Sequence, residues 1–204
     1  MLNMNAIAQA TMQEFPYRWA FVQNLFSEKS CLELANSFPQ EGFHVSGSIV
    51  IRKVFVEAEN QTEQQIKELL KLNKCWQDLI NDLLTSAYRD ALEQLTSLNL
   101  MDDFLWIYFF RYDTNMIFNP HTDVPSSRLV HLFYFNQEWD SNWGGCLRIL
   151  KDDRPESMFQ EIPPLVNTSV ILVNSDNAWH NVNPIVSDAP QERLVLKVAF
   201  SKRE

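Results

Sequence analysis

Apolar and polar positions alternate with two different periods along this chain, and the switch between them falls near Leu100. Ahead of it the spacing is helical. Ser27 stands before EKSCLELANSF, where Cys31, Leu34, Ala35 and Phe38 share one helical face and Pro39 follows as a stop. SIVIRKVFVE is rich in β-branched residues and predicts a strand over about 49–57. Thr62 and Gln65 form a capping-box pair, after which Ile66, Leu69 and Leu70 begin an apolar stripe. The stripe runs on as one packing face through Trp76, Leu79, Ile80, Leu83, Leu84, Ala87, Tyr88, Ala91, Leu92 and Leu95, with a break near Asn73. The first fifteen residues are polar and weakly patterned and are expected to form a mobile arm.

Beyond Leu100 short apolar runs at 104–110, 129–135, 146–150, 169–173 and 193–200 are separated by polar turns. That pattern belongs to a β-sandwich or barrel. Helices first and strands second favour an α+β fold, with helices buttressing one face of a mainly antiparallel β unit. The 204 residues suit a single domain over 1–204, with mainly helical support and an early strand in 15–100 and a β core in 104–200.

Composition narrows the classes. Hydrophobic residues make up 46% of the chain, enough for a sizeable core. The longest apolar run, 104–110, is too short to cross a bilayer, so no membrane partner is expected. The net charge is −9 and no Lys/Arg stripe exists, which argues against nucleic acid as a partner. Cys31, Cys75 and Cys146 are odd in number and widely spaced, so they indicate neither a disulfide framework nor a zinc motif. Reduced thiols, and an N-terminus without a basic start and long apolar stretch, point to a cytoplasmic protein. Oligomeric state leaves no trace in the sequence.

Three phrases carry chemistry. In FNPHTDVP, His121 and Asp123 are two apart, and at a strand end residues i and i+2 project from one face. In SVILVNSDNAWHNVNP, a strand and a turn lead to His180 at the head of another extended segment, which Pro184 keeps out of helix. Two imidazoles and one carboxylate form the facial set of non-heme iron(II) oxygenases, leaving coordination positions open. In ERLVLKVAF, Arg193 sits in an apolar strand, where Val195, Lys197 and Ala199 share its face. A guanidinium there needs an anion, either a carboxylate ligand held bidentately or a structural partner near Glu192 or Asp188.

The stretch from about Phe109 to Phe200 resembles the prolyl 4-hydroxylase-like branch of the Fe(II)/2-oxoglutarate dioxygenases. The likeness rests on RYDTNMIFNPHTD, LFYFNQEWDSNWGGCLRIL, VNSDNAWHNVNPI and RLVLKVAF in that order, and more loosely on FPYRWAFVQNLFSEKSCLELANSFP. It implies a double-stranded β-helix, a jelly-roll barrel related to cupins. His121, Asp123 and His180 would be its catalytic metal ligands, and Arg193 would anchor the distal carboxylate of 2-oxoglutarate. Tyr134 would hydrogen-bond that same carboxylate, Tyr112 would line the pocket ahead of the His-x-Asp, and Leu147 would give it an apolar wall. The implied cofactors are Fe(II), 2-oxoglutarate and O2, with ascorbate as a candidate stimulant. The implied reaction is hydroxylation of an amino acid, peptide or peptide-like natural product with release of succinate and CO2. The alternatives are a prolyl-type hydroxylase of a protein residue, the same class giving desaturation or cyclisation, and a non-catalytic metal-binding barrel. Halogenases of the superfamily lack the carboxylate ligand, so Asp123 speaks against that variant. The departures are a longer loop between His180 and Arg193, and Val195 where many relatives carry Ser. Lys197, further along the same face, is the alternative anchor.

Other residues carry blander expectations. His131 faces away from Tyr134 on its strand and is expected to be a packed structural histidine. Trp139, Trp143 and Trp179 either line a substrate pocket or pack the hairpin. Arg128 and Arg148 are expected to be solvated, and Asp176 and Asn177 to form the turn before His180.

Overall fold

The computed structural model describes residues 1–46, 49–54, 67, 69–114 and 118–203. The chain opens with α1 (Met4–Ala8), β1 (Trp19–Gln23) and α2 (Glu28–Asn36), then β2 (His44–Ser46) and β3 (Ile49–Val54). Two helices follow, α3 (Lys74–Leu83) and α4 (Ser86–Thr96). The remainder is β: β4 (Phe104–Tyr112), β5 (Phe118–His121), β6 (Ser127–Tyr134), β7 (Leu147–Leu150), β8 (Met158–Ile162), β9 (Thr168–Val173), β10 (His180–Val182) and β11 (Arg193–Ser201). Single 3₁₀ turns lie at Ser141–Trp143 and Pro155–Ser157.

The strands form a seven-stranded sheet in the order β1-β9-β6-β11-β4-β3-β2 and a four-stranded sheet in the order β5-β10-β7-β8. All of these pairings are antiparallel. The two sheets make a double-stranded β-helix, the architecture the resemblance implies. Period-2 alternation gives the large sheet two occupied faces. On β11, Leu194, Leu196, Val198 and Phe200 join the helical layer, where α3 and α4 deliver Trp76, Leu79, Ile80, Leu83, Tyr88, Leu92 and Leu95. Val195 turns the other way, toward the small sheet, and packs with Phe110, Tyr112, Tyr134, Leu147 and Ile149.

Each described helix of the buttress has a side-chain cap. Ser27 accepts from the Ser30 N–H, Asn73 from the Cys75 N–H and Thr85 from the Tyr88 N–H. Thr85 explains one correction. The stripe from Trp76 to Leu95 is not one helix: Thr85 ends one and caps the next, and Ala87 is exposed. Asn73 marks a boundary as expected, while Thr62, Gln65 and Ile66 lie outside the described residues, as do 55–57 of the early strand.

Two further expectations are overturned. The first fifteen residues are not a loose arm. Asn3 caps α1, Ile7 is fully buried, and Asp82 accepts from the terminal ammonium at 2.5 Å and from the Leu2 N–H at 2.8 Å. And the N-terminal helical support holds three described strands where one was expected, because β1, β2 and β3 all enter the large sheet. WAFVQ is short and has one polar edge, so periodicity does not mark β1, and its pairing with β9 defines it. The three cysteines are free and buried, as expected. No helix among the described residues is long and apolar enough to cross a membrane.

Candidate active site

Register brings the two imidazoles together. β5 and β10 pair antiparallel with His121 opposite His180, and their ring centroids are 4.3 Å apart. His121 is the last residue of β5, so the chain leaves the sheet there and Asp123 follows in the loop. The donor atoms of His121, Asp123 and His180 all lie within 4.8 Å of one another.

The hydrogen bonds decide which ring atom is available. His121 Nδ1 lies 2.8 Å from the Asn119 carbonyl, and His180 Nδ1 lies 2.9 Å from the Ala178 carbonyl. A carbonyl only accepts, so each Nδ1 carries the proton and each Nε2 is left with a lone pair. That is how a protein fixes the tautomer and orientation of ligating histidines. Burial, and then the neighbouring His121, push the His180 pKa down to about 4, so its neutral form, the one able to ligate a metal, prevails.

Asp123 completes the set. Burial pushes its carboxyl up, but the Lys197 ammonium, then His180 and His121, outweigh that and hold it below the usual carboxylate range. Lys197 Nζ donates to Asp123 Oδ1 at 3.2 Å. The donor chemistry, two imidazoles whose Nδ1 atoms are taken by backbone carbonyls and one carboxylate, fits a ferrous ion.

Arg193 lies deeper, 1% exposed, opposite Tyr112 on β4. Its guanidinium carbon sits 4.7 Å from the Tyr112 ring centroid and 5.3 Å from that of Tyr134. No carboxylate pairs with it among the described residues, and its Nε is buried without a hydrogen-bond partner. Glu192, the suggested structural partner, pairs with Arg111 instead. Ring faces offset about 1–2 kcal/mol of burying a cation, well short of the several kcal/mol that it costs. The Tyr134 hydroxyl is also buried without a partner, and its pKa is raised by burial, with Arg193 pulling it part of the way back. An unpaired cation beside an unpaired hydroxyl is a prepared anion site. A cavity of about 50 Å³ connects it to the imidazoles, with Leu147, Phe110, Tyr112 and Lys197 in its wall. The donors fit the distal carboxylate of 2-oxoglutarate.

One residue of this region has no individual signal in the sequence. Tyr17 arrives just ahead of β1 and packs with Tyr134 and Leu147, its hydroxyl buried and unpartnered. Burial, then the Asp123 carboxylate, drive its pKa well up. Only FPYRW, on the loosely resembling opening segment, touches it.

The remaining residues sort themselves. His131 is fully buried on the helical side, its Nδ1 2.9 Å from the Tyr88 hydroxyl and its Nε2 2.8 Å from that of Ser169. His44 lies exposed on β2, the far edge strand of the large sheet. Trp139 packs edge-on against Trp143 and donates to the Gly144 carbonyl at 2.8 Å, so this pair serves the hairpin. Arg128 and Arg148 are not simply solvated. Both are half-buried, Arg128 3.3 Å from Asp103 and Arg148 2.6 Å from Glu161, its cross-strand partner on β8, because each faces a carboxylate. Asp176 and Asn177 form the turn before β10.

Comparison with known proteins agrees with this geometry. Residues 107–201 match the family model of the 2OG-Fe(II) oxygenase superfamily. No curated protein sequence matches the chain. Among solved structures, a prolyl-4-hydroxylase from Pseudomonas putida aligns at TM-score 0.60 and 19% identity, over 98% of this chain and 97% of its own. A 2OG-Fe(II) oxygenase family oxidoreductase from Burkholderia pseudomallei aligns at 0.63 and 13%, over 98% and 91%. A Trichoplax adhaerens prolyl hydroxylase, solved with a hypoxia inducible factor oxygen degradation domain peptide fragment, aligns at 0.59 and 16%, over 97% and 88%. These identities speak for the fold. The family model lies over the strands from β4 to β11 that carry the His-Asp-His cluster and the arginine pocket, so this part of the chain is similar to the 2OG-Fe(II) oxygenase superfamily, enzymes that use Fe(II), 2-oxoglutarate and O2.

Proposed function

We propose that the chain hydroxylates an unactivated carbon of an amino acid, peptide or peptide-like molecule while 2-oxoglutarate becomes succinate and CO2. His121, Asp123 and His180 are the iron ligands of this reading. Arg193 and Tyr134 bind the distal carboxylate of 2-oxoglutarate, and Tyr112 and Leu147 shape the pocket. The whole of 1–204 acts as one domain. Bound iron would supply the activation of dioxygen. The residues supply the rest. Asn119 and Ala178 hold both imidazoles in the ligating tautomer. Arg193 orients the cosubstrate by a charge-assisted, two-pronged contact, and Leu147 and Phe110 keep water from it.

The observation that carries this reading is the pair of backbone bonds that consume both Nδ1 protons and leave Nε2 as the free ring nitrogen of two histidines clustered with Asp123. A second reading, hydroxylation of a residue inside a peptide, draws support from the likeness to the Trichoplax hydroxylase solved with a peptide fragment.

Calorimetry tests the assignment. Arg193→Ala should weaken 2-oxoglutarate binding to the metal-loaded protein by roughly thirty- to a thousandfold, the ~2–4 kcal/mol of a desolvated bidentate contact, with little change in metal affinity. His121→Ala with His180→Ala should abolish tight Fe(II) binding. Retained tight binding in that double variant would rule out the site.

A further inference from the structure

The Lys197 ammonium stands against Asp123, at the seam between two cavities. One is the Arg193 cavity. The other is a groove of about 350 Å³ whose described wall includes Trp106, Tyr108 and Phe110 from β4 and Lys197 and Ala199 from β11. Register explains the wall. Val195, Lys197 and Ala199 lie opposite Phe110, Tyr108 and Trp106, so ring follows ring along one strand with a single cation among them. Resting on the ligand assignment of the proposed function, charge can be counted. The ion contributes two positive charges, and Arg193 and Lys197 one each. Asp123 returns one negative charge and the dicarboxylate cosubstrate two. One positive charge is left over. The neighbouring cations do not alter this, since Arg128, Arg148 and Arg111 each have their own carboxylate. In the metal-free protein Asp123 serves Lys197. Once that carboxylate also serves a dication, its single charge no longer balances the half-buried ammonium beside it, which leaves Lys197 able to take a further anion.

We infer that Lys197 binds a carboxylate of the organic substrate, whose apolar body lies along Trp106, Tyr108 and Phe110. The oxidised carbon then lies within a few bonds of a free carboxylate. The substrate is a free amino acid or a C-terminal residue, not a residue inside a chain.

The test has two stages. The first is calorimetric binding of 2-oxoglutarate to the Mn(II)-loaded protein. Its absence defeats the proposed function itself and is read before anything else. The second follows the visible absorption band of the Fe(II)–2-oxoglutarate chelate without oxygen. The probes are free apolar and aromatic L-amino acids, their amides, and short peptides without acidic side chains, with a free or amidated C-terminus. At least one carboxylate probe should shift the band, and its amide should bind at least about thirtyfold more weakly. A response from free amino acids alone, or also from free C-termini, tells the two sources apart. Lys197→Met should abolish the discrimination while 2-oxoglutarate still binds, and Lys197→Arg should restore part of it. The inference falls if amides bind as well as carboxylates, if no carboxylate probe shifts the band, or if Lys197→Met keeps the preference.

Discussion

At the scale of single residues, the site and the core treat buried polar atoms in opposite ways. His131 has both ring nitrogens matched by hydroxyls. Tyr134 is left with an idle hydroxyl. An unmet buried hydroxyl costs about 1–3 kcal/mol. Tyr134→Phe should therefore stabilise the ligand-free protein by about 1 kcal/mol in urea denaturation while weakening 2-oxoglutarate binding about tenfold. A destabilised variant would mean that the hydroxyl has a partner in the fold. His131 predicts a pH dependence. Burial holds its folded pKa at about 3, whereas the unfolded chain titrates near ~6.5. Above ~6.5 neither state is protonated and stability is complete. As the pH falls toward 3 the unfolded chain takes up a proton that the fold refuses, and stability drops by ~1.4 kcal/mol per unit. Between pH 7 and 5 the metal-free wild type should lose about 2 kcal/mol more than His131→Gln. Equal losses in chemical denaturation at the two pH values would remove His131 as the cause.

At the scale of elements, the hairpin before β7 does more than connect strands. Gly144 has φ +73° and Gly145 φ +66°. A Cβ on Gly144 would lie 1.8 Å from the Pro184 carbonyl oxygen, a backbone atom just past β10. The approach is locked by Gly145 N–H donating to the Asn183 carbonyl and Cys146 N–H to the Asn183 side chain, at 3.1 and 2.9 Å. The turn thus sets the strand that carries His180. Gly144→Ala should cost on the order of 2–4 kcal/mol, since it combines left-handed strain with a backbone collision, and should lower metal affinity as well. Thermal melts and metal titrations that both match wild type would show the loop to be pliant. Some of this is legible in the sequence. The paired glycines, the His-x-Asp, the distal histidine and the arginine stand out because each is local chemistry with a fixed spacing. Thr85 between α3 and α4 is a cap signal hidden inside an apolar stripe that continues across it. The ion pair of Lys197 with Asp123 spans most of the barrel and exists only through the register of β11, β4 and β6. Tyr17 reaches the site because β1 pairs with β9. No window of sequence contains either relation.

At the scale of the whole molecule, the large sheet divides two kinds of interior. One face meets the helices and holds the larger apolar core, while the other meets the small sheet and holds the polar cavities. A helical layer predicted from periodicity alone therefore falls on the face away from the chemistry, and the N-terminal strands missed by periodicity extend the sheet that carries it. The consequence is sharpest along β11, which belongs to both interiors at once. In a saturation library of this strand, scored separately for cellular abundance and for turnover, the two scores should separate by parity. Substitutions at Leu196, Val198 and Phe200 should deplete the folded population, because large-to-small changes there cost about 2–5 kcal/mol. Substitutions at Arg193 and Lys197 should leave abundance near wild type and silence turnover. A library in which both sets lose abundance alike would mean that the two faces are one cooperative core, and that this strand does not partition what selection sees into an even tolerance for folding and an odd one for catalysis.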